Sequence, residues 1–269
     1  MSHWTDQWRD FVRESSYIHI LKERKISNDQ FWRSYGVYDQ ILNHSGYPGE
    51  ILNRIFSFIS PGTSLLDIGA GTGAFSIPLS RQTSRTVVVD PSGYQLQILM
   101  EKARKERLTN ITAIQKEWRD VQPSEIFGPN DLGINPQGVD YSLAAYSLFD
   151  EHIEDFLSKM IEFTSKGVFV VFRADAPDPL NEFAYGLKPH VDYLCLYHIL
   201  KEMGYQFDII LFSRNYSLPL DLVFHQYRFS GRDSQEIAAY LQAKGRLLER
   251  EDGKWASFST RDAMLYKIL

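Results

Sequence analysis

Three glycines and two acids carry the first chemical signal in the chain. Asp67 stands two residues ahead of Gly69, Gly71 and Gly73 in the run LLDIGAGTGAF, with Ala70 between the first pair and Ala74 after the third. Glycines at alternate positions between an apolar run and a helix leave the backbone bare enough for a ligand to touch it. Asp90 closes the β-branched run TVVVD and is followed by Pro91. A carboxylate about twenty residues beyond such a turn is placed to accept both hydroxyls of a ribose. The combination points to a ligand that contains a nucleoside.

Two such ligands fit the spacing, a nicotinamide dinucleotide and S-adenosylmethionine. Gly69, Gly71 and Ala74 also read as Gly-x-Gly-x-x-Ala, a fingerprint of the first. Asp67 favours the second. An acid beside the helix N-terminus repels a pyrophosphate and suits a ligand that carries an ammonium and a sulfonium. Position agrees: about sixty residues of helical pattern precede the glycines, whereas a dinucleotide fingerprint commonly opens its domain.

These residues resemble the class I S-adenosylmethionine-dependent methyltransferases, most closely from Trp32 to Phe172. LLDIGAGTG is similar to the family's first motif and VVVDPS to its second. The resemblance implies a Rossmann-like, seven-stranded, mostly parallel sheet whose last strand is inserted antiparallel, with S-adenosylhomocysteine as product. It implies that Glu117 accepts from the adenine amino group and that Trp118 offers its backbone N–H. Ala144, Ala145 and Tyr146 would pass the methionine end, and Tyr38, in FWRSYGVYDQIL, would close over the cofactor. The Trp118 indole either stacks on adenine or packs beneath the segment that follows. AAYS stands where amino-methylating DNA and protein enzymes carry Asn/Asp-Pro-Pro-Tyr/Phe, and one cysteine cannot supply the pair used for C5-pyrimidine methylation. A sulfonium-bound methyl is already activated, so a base is needed only for a protonated acceptor. Tyr146, His152 and His44 are candidates for that base, and none is assigned.

The elements that must hold these residues follow from the hydropathy pattern. An aromatic helical region runs to about residue 60, with Ser27 or Asn28 capping a helix that carries Phe31 to Leu42. Strands SLLDI, TVVVD, NITAIQ, VDYSLAAYSLF, GVFVVFRAD and FDIILF then alternate with helices, which implies a parallel sheet covered on both faces. Residues 123–138 read as an irregular insertion rich in Pro, Gly and Asn. DLVFHQYRF reads as a strand or extended arm, SQEIAAYLQAKGRLLER as a helix, and RDAMLYKIL as a final strand on an antiparallel edge. The expected organisation is a helical cap over 1–60 and a cofactor-binding domain over 61–269, with the aromatic N-terminal helices, Trp4 and Trp8 included, acting as a lid.

Composition narrows the class further. A formal net charge of −5 with no long basic run argues against a nucleic-acid partner. The lone Cys195 lies in an apolar helical pattern, which excludes an intrachain disulfide and a cysteine zinc cluster and reads as core packing; no metal site is expected. No apolar stretch approaches the roughly 20 residues that span a bilayer, and no signal peptide opens the chain, so a cytoplasmic protein is expected. The leading reading is a methyltransferase acting on a small molecule. Methylation of RNA or protein, and cofactor binding without turnover, are the alternatives, and the oligomeric state is not legible.

Overall fold

The computed structural model describes residues 3–131 and 138–269. Its first part is helical: α1 (His3–Glu14), α2 (Tyr17–Arg24), α3 (Asn28–Arg33), α4 (Tyr38–Ser45) and α5 (Gly49–Phe56). The alternating part comprises β1 (Ser64–Ile68), α6 (Ser76–Ser80), β2 (Arg85–Val89), α7 (Gly93–Lys105), β3 (Ile111–Ile114), α8 (Pro123–Asp131), β4 (Val139–Ala145), α9 (Ile153–Glu162) and β5 (Thr164–Arg173). Next come α10 (Pro179–Tyr185), α11 (Tyr193–Glu202) and β6 (Asp208–Pro219). The chain closes with α12 (Leu220–Gln226), α13 (Ser234–Ala243), β7 (Leu247–Arg250) and β8 (Gly253–Ile268).

The apolar runs form strands because each is buried on both faces. On β5, Val168, Val170 and Phe172 face one layer with α1, α9 and α11, while Phe169 and Val171 face the other with α5 and α6. The strand order is β3-β2-β1-β4-β5-β8-β6. β1 to β5 pair in parallel, and β8 runs antiparallel between β5 and β6. This is the expected seven-strand arrangement, with one addition: the short β7 pairs with the start of β8. The order reverses beside β1, which opens a crevice at the strand carboxyl ends.

Beyond that crevice, β6 and β8 stay paired from Arg214 to Pro219, past the last β5 partner at Arg173. This arm supports a second small core in which Leu180, Leu218, Leu222, Val223, Ile237 and Phe258 meet Ile41 of α4. DLVFHQYRF is therefore mostly helix α12 rather than a strand, because the spacing of Leu222, Val223 and Tyr227 turns one helical face into that core. The helix expected up to Arg250 stops at Ala243, with Gly245 at φ 66°, and Leu247 begins β7.

Two other expectations change. The single helix from Phe31 to Leu42 is broken between α3 and α4, and that break brings Tyr35 and Tyr38 against Trp32. Ser27 does cap α3, in a capping box with Gln30. The insertion is helical over Pro123–Asp131, with proline in the first turn and Ile126 fully buried, while 132–137 lie outside the described residues.

Helices α1 and α5 belong to the main core, where Trp8, Phe11, Ile51 and Ile55 are buried. Asp29 of α3 accepts from the Ser92 hydroxyl at 2.7 Å, and Asp39 of α4 accepts from Thr72 Oγ1 at 2.5 Å and pairs with Lys102 at 2.7 Å. These bonds bolt the helical segment to the glycine turn and to α7. Among the described residues, no helix is long and apolar enough to cross a membrane.

Candidate functional site

A cavity of about 630 Å³ lies over the carboxyl ends of β1, β2 and β4, beneath residues of α2, α3 and α4 and beside the β6 arm. Of the residues singled out from sequence, Tyr38, Asp67, Gly69, Ala70, Gly71, Asp90, Pro91, Glu117, Trp118 and Tyr146 line it. Gly73 and Ala144 do not. Ala144 is fully buried in the main core, and the next residue, Ala145, reaches the cavity instead.

The three glycines have different reasons to be glycine. All adopt positive φ. A Cβ on Gly69 would lie 2.1 Å from the Ser147 Cβ, so the loop after β4 demands that bareness. A Cβ on Gly73 would lie 2.8 Å from Ile77 and 3.0 Å from Leu99, the close approach that seats α6 against α7. Gly71 is the least crowded of the three, yet the nearest atom to its Cβ position, Gln95 Oε1, is still a tight 3.1 Å away.

Both acids are buried and poised. Asp90 accepts from the Gly71 N–H at 2.9 Å and the Ser92 N–H at 2.8 Å. Burial pushes its carboxyl up to about 6 despite those two bonds, with Glu117 and Asp29 adding repulsion. Asp67 accepts from the Ser76 hydroxyl, and burial pushes it up to about 7, with Asp90 adding to the rise. Burial raises Glu117 as well. Three carboxyls therefore stand around one half of the cavity, and a cation placed there stabilises their ionised forms. Tyr38 is pushed up to about 12 by burial, with Asp39 and Asp90 facing it. The Trp118 indole points into the core: it donates to the Phe156 carbonyl at 3.2 Å and packs edge-on against Phe163. Packing beneath the following segment is the alternative that the geometry favours.

The other half of the cavity is tyrosine-rich. Tyr146 takes φ 54° just past β4, and its hydroxyl donates to Asp262 at 2.5 Å. Asp262 is fully buried and also receives Arg214 Nε at 2.8 Å. Arg214 Nη1 donates to the Ser45 carbonyl at 3.0 Å, and the guanidinium lies 5.0 Å from the Tyr47 ring centroid. Sequence reading missed Arg214, Asp262, Tyr47, Ser147 and Gln95. One signal was present: an acid inside the otherwise apolar run DAML of a strand. His152 lines the cavity at its exposed mouth and stands at the N-cap of α9, whereas His44 packs against Trp255 away from the wall. Cys195 is core, as expected, with its thiol pushed up to about 12 by burial.

The residues present fit an adenosine-bearing cation. Bare backbone at Gly71, a carboxylate at Asp90, an unpartnered buried oxygen on Gln95 and an acidic surround meet in one cavity. Among the described residues, no group of three His, Cys, Asp or Glu could hold a metal ion.

Residues 65–167 match the family model of a methyltransferase domain. An uncharacterised protein of Haemophilus influenzae is 31% identical over 107 residues, 40% of this chain, and the chain spans only 36% of that relative's length. Among solved structures, the YcgJ protein from Bacillus subtilis superposes with a TM-score of 0.56 at 14% identity, covering 81% of this chain and 97% of that one. A candidate methyltransferase from Bacillus halodurans gives 0.58 at 12% identity, covering 82% and 99%. At these identities the likeness speaks for the fold.

Proposed function

We propose that this chain, whose residues 65–167 match the family model of a methyltransferase domain, is a class I, S-adenosylmethionine-dependent enzyme that methylates a small-molecule acceptor. The observation that carries this reading is the size of the site. Helices α2, α3 and α4 and the β6 arm border one cavity of about 630 Å³, within the range of small-ligand sites. When bound, S-adenosylmethionine supplies a methyl group activated by its sulfonium charge.

The chain's own groups divide the remaining work. Asp90 takes ribose hydroxyls, and Gly71 lets the ligand approach the backbone that Asp90 holds. Glu117 and the Trp118 main chain meet the adenine edge. Asp67, beneath the turn, balances positive charge. Tyr38 covers the cofactor from α4, and the segment 1–60 serves as the cap, chiefly through α2 to α4. Tyr146 hands its proton in a hydrogen bond to Asp262, which leaves the phenolic oxygen free to accept from an acceptor hydroxyl or amine. The aromatic walls exclude water from the transfer.

The test is incubation with methyl-labelled S-adenosylmethionine and a cell extract split by ultrafiltration. Label is expected in the low-mass fraction. Label in the RNA or protein fraction overturns the small-molecule reading, and tight S-adenosylhomocysteine binding with no labelled product marks a binder without turnover.

A further inference from the structure

Gln95 lies in the first turn of α7, is 2% exposed and lines the cavity. Its backbone N–H donates to Ser92 Oγ, but its side-chain Oε1 is buried with no hydrogen-bond partner. A carbonyl oxygen withdrawn from water and left without a donor is costly and rare in folded proteins. Among the described residues, the other side-chain atom in this state is Asn28 Oδ1; Asn28 is off the cavity wall, and its amide already donates to Tyr17.

The surroundings say what the missing donor is. Gly71 lies directly before Gln95 Oε1, and a side chain there would reach within 3.1 Å of it. The Gly71 N–H is held by Asp90 Oδ2. Gln95 and Asp90 thus flank the same bare glycine, one with a neutral oxygen and the other with a carboxylate. A second carboxylate at Gln95 would add repulsion where Asp90 already faces Glu117 and Asp29. An amide oxygen accepts a hydrogen bond there without adding charge.

We propose that Gln95 is a second ribose-reading residue, its Oε1 accepting from one ribose hydroxyl beside Asp90. The assignment rests on the S-adenosylmethionine reading of the cavity. It explains why a polar side chain is kept at a buried helical position between Tyr94 and Leu96, where an apolar one would pack without penalty.

The test compares wild type with Gln95→Leu by calorimetric titration of S-adenosylhomocysteine and its 2′-deoxy and 3′-deoxy analogues, alongside melting of the ligand-free proteins. Leucine keeps the volume and removes the acceptor. Ligand-free Gln95→Leu is expected to melt at or above wild type, because an unsatisfied buried atom is gone. Its affinity for S-adenosylhomocysteine should fall about three- to tenfold, the range of one neutral hydrogen bond. One deoxy analogue should lose the same factor on wild type and nothing further on the variant. Unchanged affinity, or equal losses for every ligand on both proteins, overturns the assignment. So does a ligand-free Gln95→Leu that melts far below wild type when Gln95→Met does the same, which marks a structural side chain. Failure of wild type to bind S-adenosylhomocysteine at all overturns the parent reading, and this one with it.

Discussion

At the scale of single residues, the two buried acids set the sharpest expectations. In its proposed ribose role, Asp90 loses two charged hydrogen bonds on Asp90→Ala, each contributing about 1.5–3 kcal/mol, so S-adenosylhomocysteine should bind on the order of a hundredfold more weakly. Asp150→Ala, on the cavity wall but bonded to the His152 N–H, should change affinity far less. Calorimetry on both variants checks the contrast, and equal affinities would show that Asp90 does not reach the ribose. The same acids predict a pH dependence. Burial raises Asp67 to about 7 and Asp90 to about 6, above the usual value of 3.8 for an aspartate in an unfolded chain. Between those limits the folded chain holds protons that the unfolded chain has released, so ligand-free stability falls as pH rises through this window. Ionised Asp67 and Asp90 in turn favour the cationic ligand. The affinity ratio of S-adenosylmethionine to S-adenosylhomocysteine should therefore grow from about pH 5 to about pH 8, and Asp67→Asn should flatten both trends.

At the scale of elements, the helical segment divides into core and cover. Trp8 is fully buried, packs on Phe11 and Phe172, and donates its indole N–H to the Asp150 carbonyl at 3.0 Å. Trp4 stacks on His198 of α11 at 4.3 Å. Neither lines the cavity, so both tryptophans are structural rather than parts of a lid. Trp8→Ala should cost about 3–5 kcal/mol in urea unfolding. Among the covering helices, α2 is tied at the cavity wall by Glu151, which pairs with Lys22 at 3.3 Å and with Arg13 of α1 at 2.7 Å. Exposed pairs of this kind contribute at most about 1 kcal/mol. Glu151→Gln should accordingly leave the melting temperature nearly unchanged while S-adenosylhomocysteine dissociates up to about fivefold faster in stopped flow.

For the molecule as a whole, the β6–β8 arm decides how the tyrosine-rich half of the cavity is walled. Arg246 clamps Asp178 with two 2.8 Å bonds, and the same carboxylate caps α10 through the Leu180 N–H. Both side chains are largely shielded from water. Arg246→Ala should lower stability by about 1.5–3 kcal/mol through the charged bonds alone. Asp178→Ala should lower it further, since it also removes a helix cap worth about 1 kcal/mol, and urea titration of the two variants resolves the difference.

Much of the cofactor half was written locally. The run from Leu65 to Phe75 declares a strand, a glycine turn and a helix within eleven residues. Ser92 caps α7, and Asp90 ends a strand because β-branched residues precede it. Short-range spacing and backbone propensity suffice for such features, so the sequence alone determined the strand pattern, the turn and the acid placed after β2. The tyrosine-rich half was not legible in this way. Tyr146, Arg214 and Asp262 meet because β8 inserts antiparallel between β5 and β6, bringing Asp262 opposite Phe212 and Arg173. The orphaned oxygen of Gln95 exists only because α7 packs against Gly71, and Trp8 became core only because α1 folded back onto β5. Each depends on contacts between distant segments, fixed by sheet register and by the closing of two cores, which no local pattern encodes.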